Sequence, residues 1–194
     1  MWNKKRNIII IILAFLLLIT GGIFVFSTFY HSHHKPEAPK SSINAERTKK
    51  NLEDVNKFLV QKDDERIQSF VRRRDWNMQK TGTGLWYKID ENKEGPNVKE
   101  GDYVKLDYEI RLLDGTLCYT SDSTGPKIFR VGATEEVTGL HEALKLLSQG
   151  DKARLIIPPH LAHGLLGDSE RIPARAILVY KLRLREVCSD KIRR

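Results

Sequence analysis

Two runs of alternating apolar and polar residues near the carboxyl end, joined by an unusually apolar loop, constrain this chain more than any other feature. They lie in GDKARLIIPPHLAHGLLGDSERIPARAILVYKLRLREV, residues 150–187. Ala153, Leu155 and Ile157 share one side of the first run; in the second, Ile177, Val179 and Lys181 alternate with Leu178, Tyr180, Leu182 and Leu184. A period of two marks strands whose faces meet different surroundings. Pro158-Pro159 stops the first strand, Gly164 and Gly167 permit tight backbone, and Leu161, Ala162, Leu165, Ile172 and Pro173 are apolar where a solvent loop is polar. Such a loop either packs on its own domain or forms the rim of a shallow apolar pocket.

Upstream, residues 103–112 place Val104, Leu106, Tyr108, Ile110 and Leu112 opposite Lys105, Asp107, Glu109 and Arg111, the pattern of a half-buried antiparallel strand. Asp114-Gly115 is a tight-turn signal, after which the chain returns through 116–121 and turns at Gly125-Pro126 into a short strand at 127–131. Residues 85–89 read as one more strand. Leu140, Ala143, Leu144 and Leu147 fall at i, i+3, i+4 and i+7 and predict a two-turn amphipathic helix, with His141 on its surface. The sum is an antiparallel sheet with one short helix across its apolar face, an α+β arrangement.

The amino end differs. Residues 8–26 hold nineteen uncharged positions, enough to cross a hydrocarbon core as a helix, with 27–30 suited to the interface. Lys4, Lys5 and Arg6 precede the run and assign the amino terminus to the cytoplasm. The run exceeds the apolar core of a signal peptide and no small-x-small site follows, so it reads as an uncleaved anchor. No cysteine lies near it to carry a lipid. His31, His33 and His34, followed by Pro36 and Pro39, read as an extended polar spacer rather than a metal site. Residues 44–78 contain no Pro or Gly and read as one long charged helix or two shorter ones. That segment either self-associates weakly, packs on the following domain or holds it at a distance.

The formal charge of +8 is spread through the chain without a helix-turn-helix, a zinc finger or an aromatic-basic pattern, which argues against a nucleic-acid partner. Cys118 and Cys188 belong to no CxxC pair; they either join or stay apart. There is no GxSxG, HExxH or nucleotide-binding glycine loop, and no cofactor or metal is implied. What the chain offers is a set of side chains drawn from separate segments: Tyr108, Phe129, Val137, Leu140, Ile172 and Tyr180, with His163 in the apolar loop. Such a pocket suits a compact apolar ring, and proline is the natural occupant. Rotation about an X-Pro bond needs no nucleophile, only relief of a barrier of about 20 kcal/mol set by amide resonance.

Four stretches, VKLDYEIRLLDGTLCYTS (104–121), KIFRVG (127–132), EEVTGLHEALKLLSQGDKARLIIPPHLAHGLLG (135–167) and RIPARAILVYKLRLREV (171–187), together resemble the FKBP-type peptidyl-prolyl cis-trans isomerase domain in content and order. The resemblance implies a strongly curved antiparallel half-barrel of five or six strands wrapped around one short helix, with the ligand between helix and sheet. It implies catalytic roles for Tyr108, His163 and Ile172, and substrate binding by Tyr108, Phe129, Val137, Leu140, His163, Ile172 and Tyr180. Leu140 stands at the family's aromatic pocket floor, and Val137 and Ile172 at positions giving a backbone N–H and apolar wall. The chain departs from the pattern at Cys118-Tyr119, in place of a phenylalanine-aspartate pair, at His163, in place of a tyrosine, and at Lys127, in place of an aromatic residue. Ahead of the domain, Trp76, Met78, Thr81-Gly82-Thr83-Gly84 and Leu85 resemble the membrane-attached isomerases associated with gliding motility in Bacteroidota.

The expected organisation is a cytoplasmic basic tail (1–7), a transmembrane anchor (8–30), a linker (31–43), a charged helical stalk (44–83), an isomerase domain (84–188) and a basic tail (189–194). The expected function is isomerisation of X-Pro bonds in exported or envelope polypeptides, from a single-pass protein of the inner membrane whose domain faces the periplasm. The alternative is a catalytically weak binding or scaffolding module of the same fold. Expected partners are proline-containing segments and the membrane, with self-association through 44–78.

Overall fold

A computed structural model describes residues 40–133 and 136–190. Helix α1 (Lys40–Arg73) is followed by β1 (Gln79–Lys80), β2 (Trp86–Glu91), β3 (Tyr103–Leu112), β4 (Leu117–Thr120), α2 (Ser121–Thr124) and β5 (Lys127–Arg130). Then come α3 (Thr138–Leu144), β6 (Lys152–Ile157), a 3₁₀ turn (Pro159–Leu161) and β7 (Leu178–Cys188). The chain divides between Glu53 and Asp54 into two units, and the sheet and cavity lie in the second, Asp54–Arg194.

The strands form one antiparallel sheet in the order β1-β2-β6-β7-β3-β4, with β5 also paired to β3. The long pattern of β3 works as its sequence predicts: Val104, Leu106, Tyr108 and Ile110 are buried and the residues between them are not. β7 lies beside β3, with Tyr108 opposite Leu182 and Ile110 opposite Tyr180. On the other side of β3, β5 covers residues 103–106 and β4 covers 109–111. Between β4 and β5 the chain leaves the edge as α2, so a gap falls beside Tyr108.

Alternation along β6 and β7 sorts side chains into two cores. Ala153, Leu155, Ile157, Leu178, Tyr180, Leu182 and Leu184 join Leu140, Ala143 and Leu144 of α3 on one face. Ile156, Ile177 and Val179 meet Ile67, Phe70 and Val71 of α1 on the other. α3 can lie close to β6 because Gly139 has no side chain: a Cβ there would stand 2.5 Å from Ile157 Cγ2 and 3.1 Å from the Leu161 carbonyl. The helix ends at Leu144, earlier than its apolar pattern implied, but turns carried by Leu146 and Leu147 N–H groups continue inward and Leu147 stays buried.

The half-barrel of five or six strands wrapped on one helix is therefore corrected. The sheet is open, has seven strands, and carries helices on both faces. The extra strand arises at residues 81–85, where Thr81 N–H donates to the Leu85 carbonyl and Leu85 N–H to Thr81 Oγ1, folding β1 back on β2. The second helix is accounted for by Ile177 and Val179, which present an apolar back face that α1 removes from water.

Among the described residues no helix is long and apolar enough to cross a membrane. No described helix therefore supplies the transmembrane anchor expected ahead of the domain, nor the membrane partner, the inner-membrane location and the periplasmic side read from it. The apolar run 8–26, the interface residues 27–30 and the histidines of the spacer lie outside the described residues, as do 191–194 of the basic tail.

Candidate functional site

Tyr108 stands beside the gap between β4 and β5, and the short α2 holds it from both ends. Its backbone N–H donates to Ser121 Oγ at 3.2 Å, and its hydroxyl lies 2.6 Å from Thr124 Oγ1. A cavity of about 700 Å³ opens there, bounded by the start of α3 and by the loop between β6 and β7. Of the residues singled out in the sequence, Tyr108, Val137, His163, Ile172 and Tyr180 line it. Phe129 and Leu140 do not; both are buried in the main core, Phe129 edge-on to His141 with ring centroids 5.5 Å apart. His141 is itself buried rather than on the surface, and its Nδ1 accepts the Gly132 N–H at 3.1 Å.

The loop walls the cavity with only part of its apolar content. Ile172 is buried and Ala162 and His163 half-buried, whereas Pro173 is exposed and Leu165 and Leu166 stand 69% and 86% exposed. Its shape depends on an aspartate the sequence reading passed over. Asp168 Oδ1 accepts the backbone N–H groups of Glu170, Arg171 and Ile172 at 2.9, 3.0 and 2.7 Å. Asp168 Oδ2 accepts the Tyr119 hydroxyl at 2.5 Å. An aspartate that gathers the following amides is a local turn device, and DSER was its signal. The pairing with Tyr119 spans 49 residues and had none.

Burial alone would push the Asp168 carboxyl up, but the Tyr119 hydroxyl and the three amides outweigh it and hold the group well below the usual carboxylate range. The Tyr119 phenol is pushed up, chiefly by its hydrogen bond to Asp168 and then by burial. Asp168 is thus a fixed negative charge at the cavity, and Tyr119 a fixed donor. The Ile172 N–H is already given to Asp168, which leaves Ile172 its side chain for any occupant.

Opposite stands an ion pair. Lys127 Nζ lies 2.5 Å from Glu136 Oε1 with only 26% and 15% of the side chains exposed, and 5.1 Å from the centre of the Tyr108 ring. The cavity is also lined by His160, whose Nε2 donates to the Thr83 carbonyl at 2.9 Å. Tyr180 closes the bottom, its phenol pushed up by burial and then by Glu136. Cys118 and Cys188 are both free; Cys118 is buried under the loop, its sulfur 3.6 Å from the Arg171 carbonyl, and burial pushes its thiol up. Among the described residues no group of three His, Cys, Asp or Glu converges as a metal would require.

The cavity therefore combines aromatic and aliphatic surface with oriented donors and fixed charges, in a volume suited to a few residues of peptide. Residues 95–185 match the sequence profile of the FKBP-type peptidyl-prolyl cis-trans isomerases. The human peptidyl-prolyl cis-trans isomerase FKBP10 is 39% identical over 87 residues, covering 44% of this chain and 15% of the human protein. The probable FKBP-type isomerase FkpA of Neisseria meningitidis is 35% identical over 105 residues, covering 54% of this chain and 38% of that one. The chain thus spans well under half the length of these curated relatives. The crystal structure of FkpA from Escherichia coli superposes with a TM-score of 0.57 at 26% identity, covering 90% of this chain and 82% of that one. Residues 95–185 of this chain are thus similar in sequence and in fold to FKBP-type peptidyl-prolyl cis-trans isomerase domains.

Proposed function

We propose that this chain is a peptidyl-prolyl cis-trans isomerase that assists protein folding and takes proline-containing segments of polypeptides into the cavity beside Tyr108. The observation that carries the proposal is the convergence of Tyr108, Val137, Ile172 and Tyr180 on one cavity within the matched region. Rotation of the X-Pro bond breaks amide resonance, and the twisted imide is less polar at its carbonyl than the planar one. A site that favours the twisted form lowers the barrier, each 1.36 kcal/mol giving about a tenfold rate.

In this reading the prolyl ring lies against Tyr180, Tyr108 and the Ile172 side chain. Val137 offers its backbone at the start of α3, and the His163 imidazole serves as a donor to a carbonyl of the peptide. Phe129 and Leu140 support these residues from beneath rather than touching substrate. The test uses the full-length chain and a proline tetrapeptide prepared in cis. The expected result is catalysed isomerisation that drops at least about tenfold in Tyr180→Ala, a loss of more than 1.36 kcal/mol in transition-state stabilisation. Absence of acceleration at micromolar protein sinks the enzymatic reading.

The Lys127–Glu136 pair and Asp168 favour one second reading, since they make part of the wall charged. That reading is a binding module of low turnover, distinguished in the same experiment by peptide-induced shifts in an NMR titration without acceleration. The finer likeness to the gliding-motility isomerases of Bacteroidota is carried by Trp76, Met78 and residues 81–85. Disabling the gene in a gliding bacterium is expected to reduce colony spreading, and unaltered spreading removes that part of the proposal.

A further inference from the structure

Asp63 lies on α1, well ahead of the region matched by the family profile, and it is only 4% exposed. It stands four residues before Ile67 and seven before Phe70, on the stripe that α1 turns toward the sheet. A carboxylate in such a stripe is tolerated only when paired and hydrogen-bonded. The partner is Arg175, whose Nη2 lies 2.6 Å from Asp63 Oδ2; Arg66 adds a more distant and exposed contact at 3.9 Å.

Arg175 is unusual in its own right. It sits at φ +57°, a left-handed conformation that costs a side-chain-bearing residue and that glycine would adopt freely. From that conformation its N–H donates to the Gly164 carbonyl at 2.9 Å, closing the loop onto the residue next to His163. Its side chain and its backbone thus reach in two directions, one to the helix and one to the cavity wall.

We propose that Asp63 and Arg175 are positioning residues for the isomerase site. Their pair fixes the returning limb of the β6–β7 loop against α1, and through the Arg175–Gly164 hydrogen bond sets where His163 stands. The inference rests on the functional reading above in taking His163 as part of the working site. It adds that a helix outside the family-matched region is part of that site's support.

The test uses the full-length chain with Asp63→Asn, Arg175→Gly, the double exchange Asp63→Arg with Arg175→Asp, and Ile67→Ala as a control for stability alone. Arg175→Gly removes the ion pair but also relieves the backbone, so a loss of activity in it does not come from strain. Each of the first two variants is expected to lower kcat/KM about tenfold per folded molecule and to shift the His163 ring signals in the ¹H–¹³C spectrum. The double exchange is expected to recover most of both. Ile67→Ala is expected to lower Tm at least as far while leaving both readouts in place. The proposal is overturned if Asp63→Asn and Arg175→Gly lose activity only in proportion to their unfolded fraction with the His163 signals unmoved. Should the wild-type chain show no isomerase activity, the functional reading fails, and the ring signals alone still decide the positioning claim.

Discussion

A chain cut back to residues 84–194 is expected to unfold or aggregate, although it keeps all the cavity-lining residues. The cut removes Ile67, Phe70 and Val71, which with Trp76 and Met78 cover Ile156, Ile177 and Val179. At roughly 1.5–3 kcal/mol for each fully buried side chain, the three lost from α1 amount to about 5–9 kcal/mol. That is comparable with the roughly 5–15 kcal/mol of net stability of a typical domain. The loss extends to Arg154, which stacks 4.6 Å from the Trp76 ring, and to Arg175, left without Asp63. Urea unfolding followed by circular dichroism checks this against a chain starting at Asp54. Equal midpoints for the two would show that the back of the sheet needs no cover.

Gly167→Ala is expected to cost about 3 kcal/mol or more of stability and to abolish most activity, through strain at a special backbone position. Gly167 has φ +74°, and a Cβ there would stand 2.2 Å from the Ile172 carbonyl oxygen and 2.8 Å from the Pro173 carbonyl carbon. Both are backbone atoms that no rotamer moves aside. Relief requires opening the turn that Asp168 closes, with loss of its N–H donation to the Ile172 carbonyl at 3.0 Å. Gly164→Ala is the comparison, because Gly164 also has positive φ, +59°, but nothing lies within 4 Å of a Cβ there. It is expected to cost only about 1 kcal/mol. Equal shifts in the urea midpoints of the two variants would place the whole effect in φ and none in the collision.

The strands were legible because each has two faces in different surroundings. Residues 103–112 and 180–184 alternate in letters for the same reason that they alternate in burial, while 177–180 are apolar throughout because both faces there are covered. The helix α3 was legible from its four apolar positions, and the tyrosines of the cavity from their place on those strands. Other parts had no local signal. Tyr119 with Asp168 and Asp63 with Arg175 are pairs separated by 49 and 112 residues, and no period or spacing announces them. Apolar letters in the β6–β7 loop pointed inward as a group, yet Leu165 and Leu166 lie between two glycines of positive φ that turn them out. His141 was read as exposed because a histidine on a short helix usually is; here the Gly132 amide and the Phe129 edge enclose it. Of the apolar residues of α1, those of its last turns are buried, whereas Leu52, Val55 and Phe58 stand exposed.

The position of β7 also governs how the sheet can be assembled. Without it the order β1-β2-β6-β7-β3-β4 falls into two separate pieces, β1-β2-β6 and β3 with β4 and β5. Its partners in β3 are Tyr103 through Leu112, paired with Cys188 back to Leu178, so every one of those contacts closes a long stretch of chain. Contacts of that kind are entropically slow to form and give little reward until many are made together. Tyr180, Leu182 and the back-face Val179 all sit on this one late-arriving strand. The two cores and the cavity between helix and loop are therefore expected to form together, in a single cooperative step.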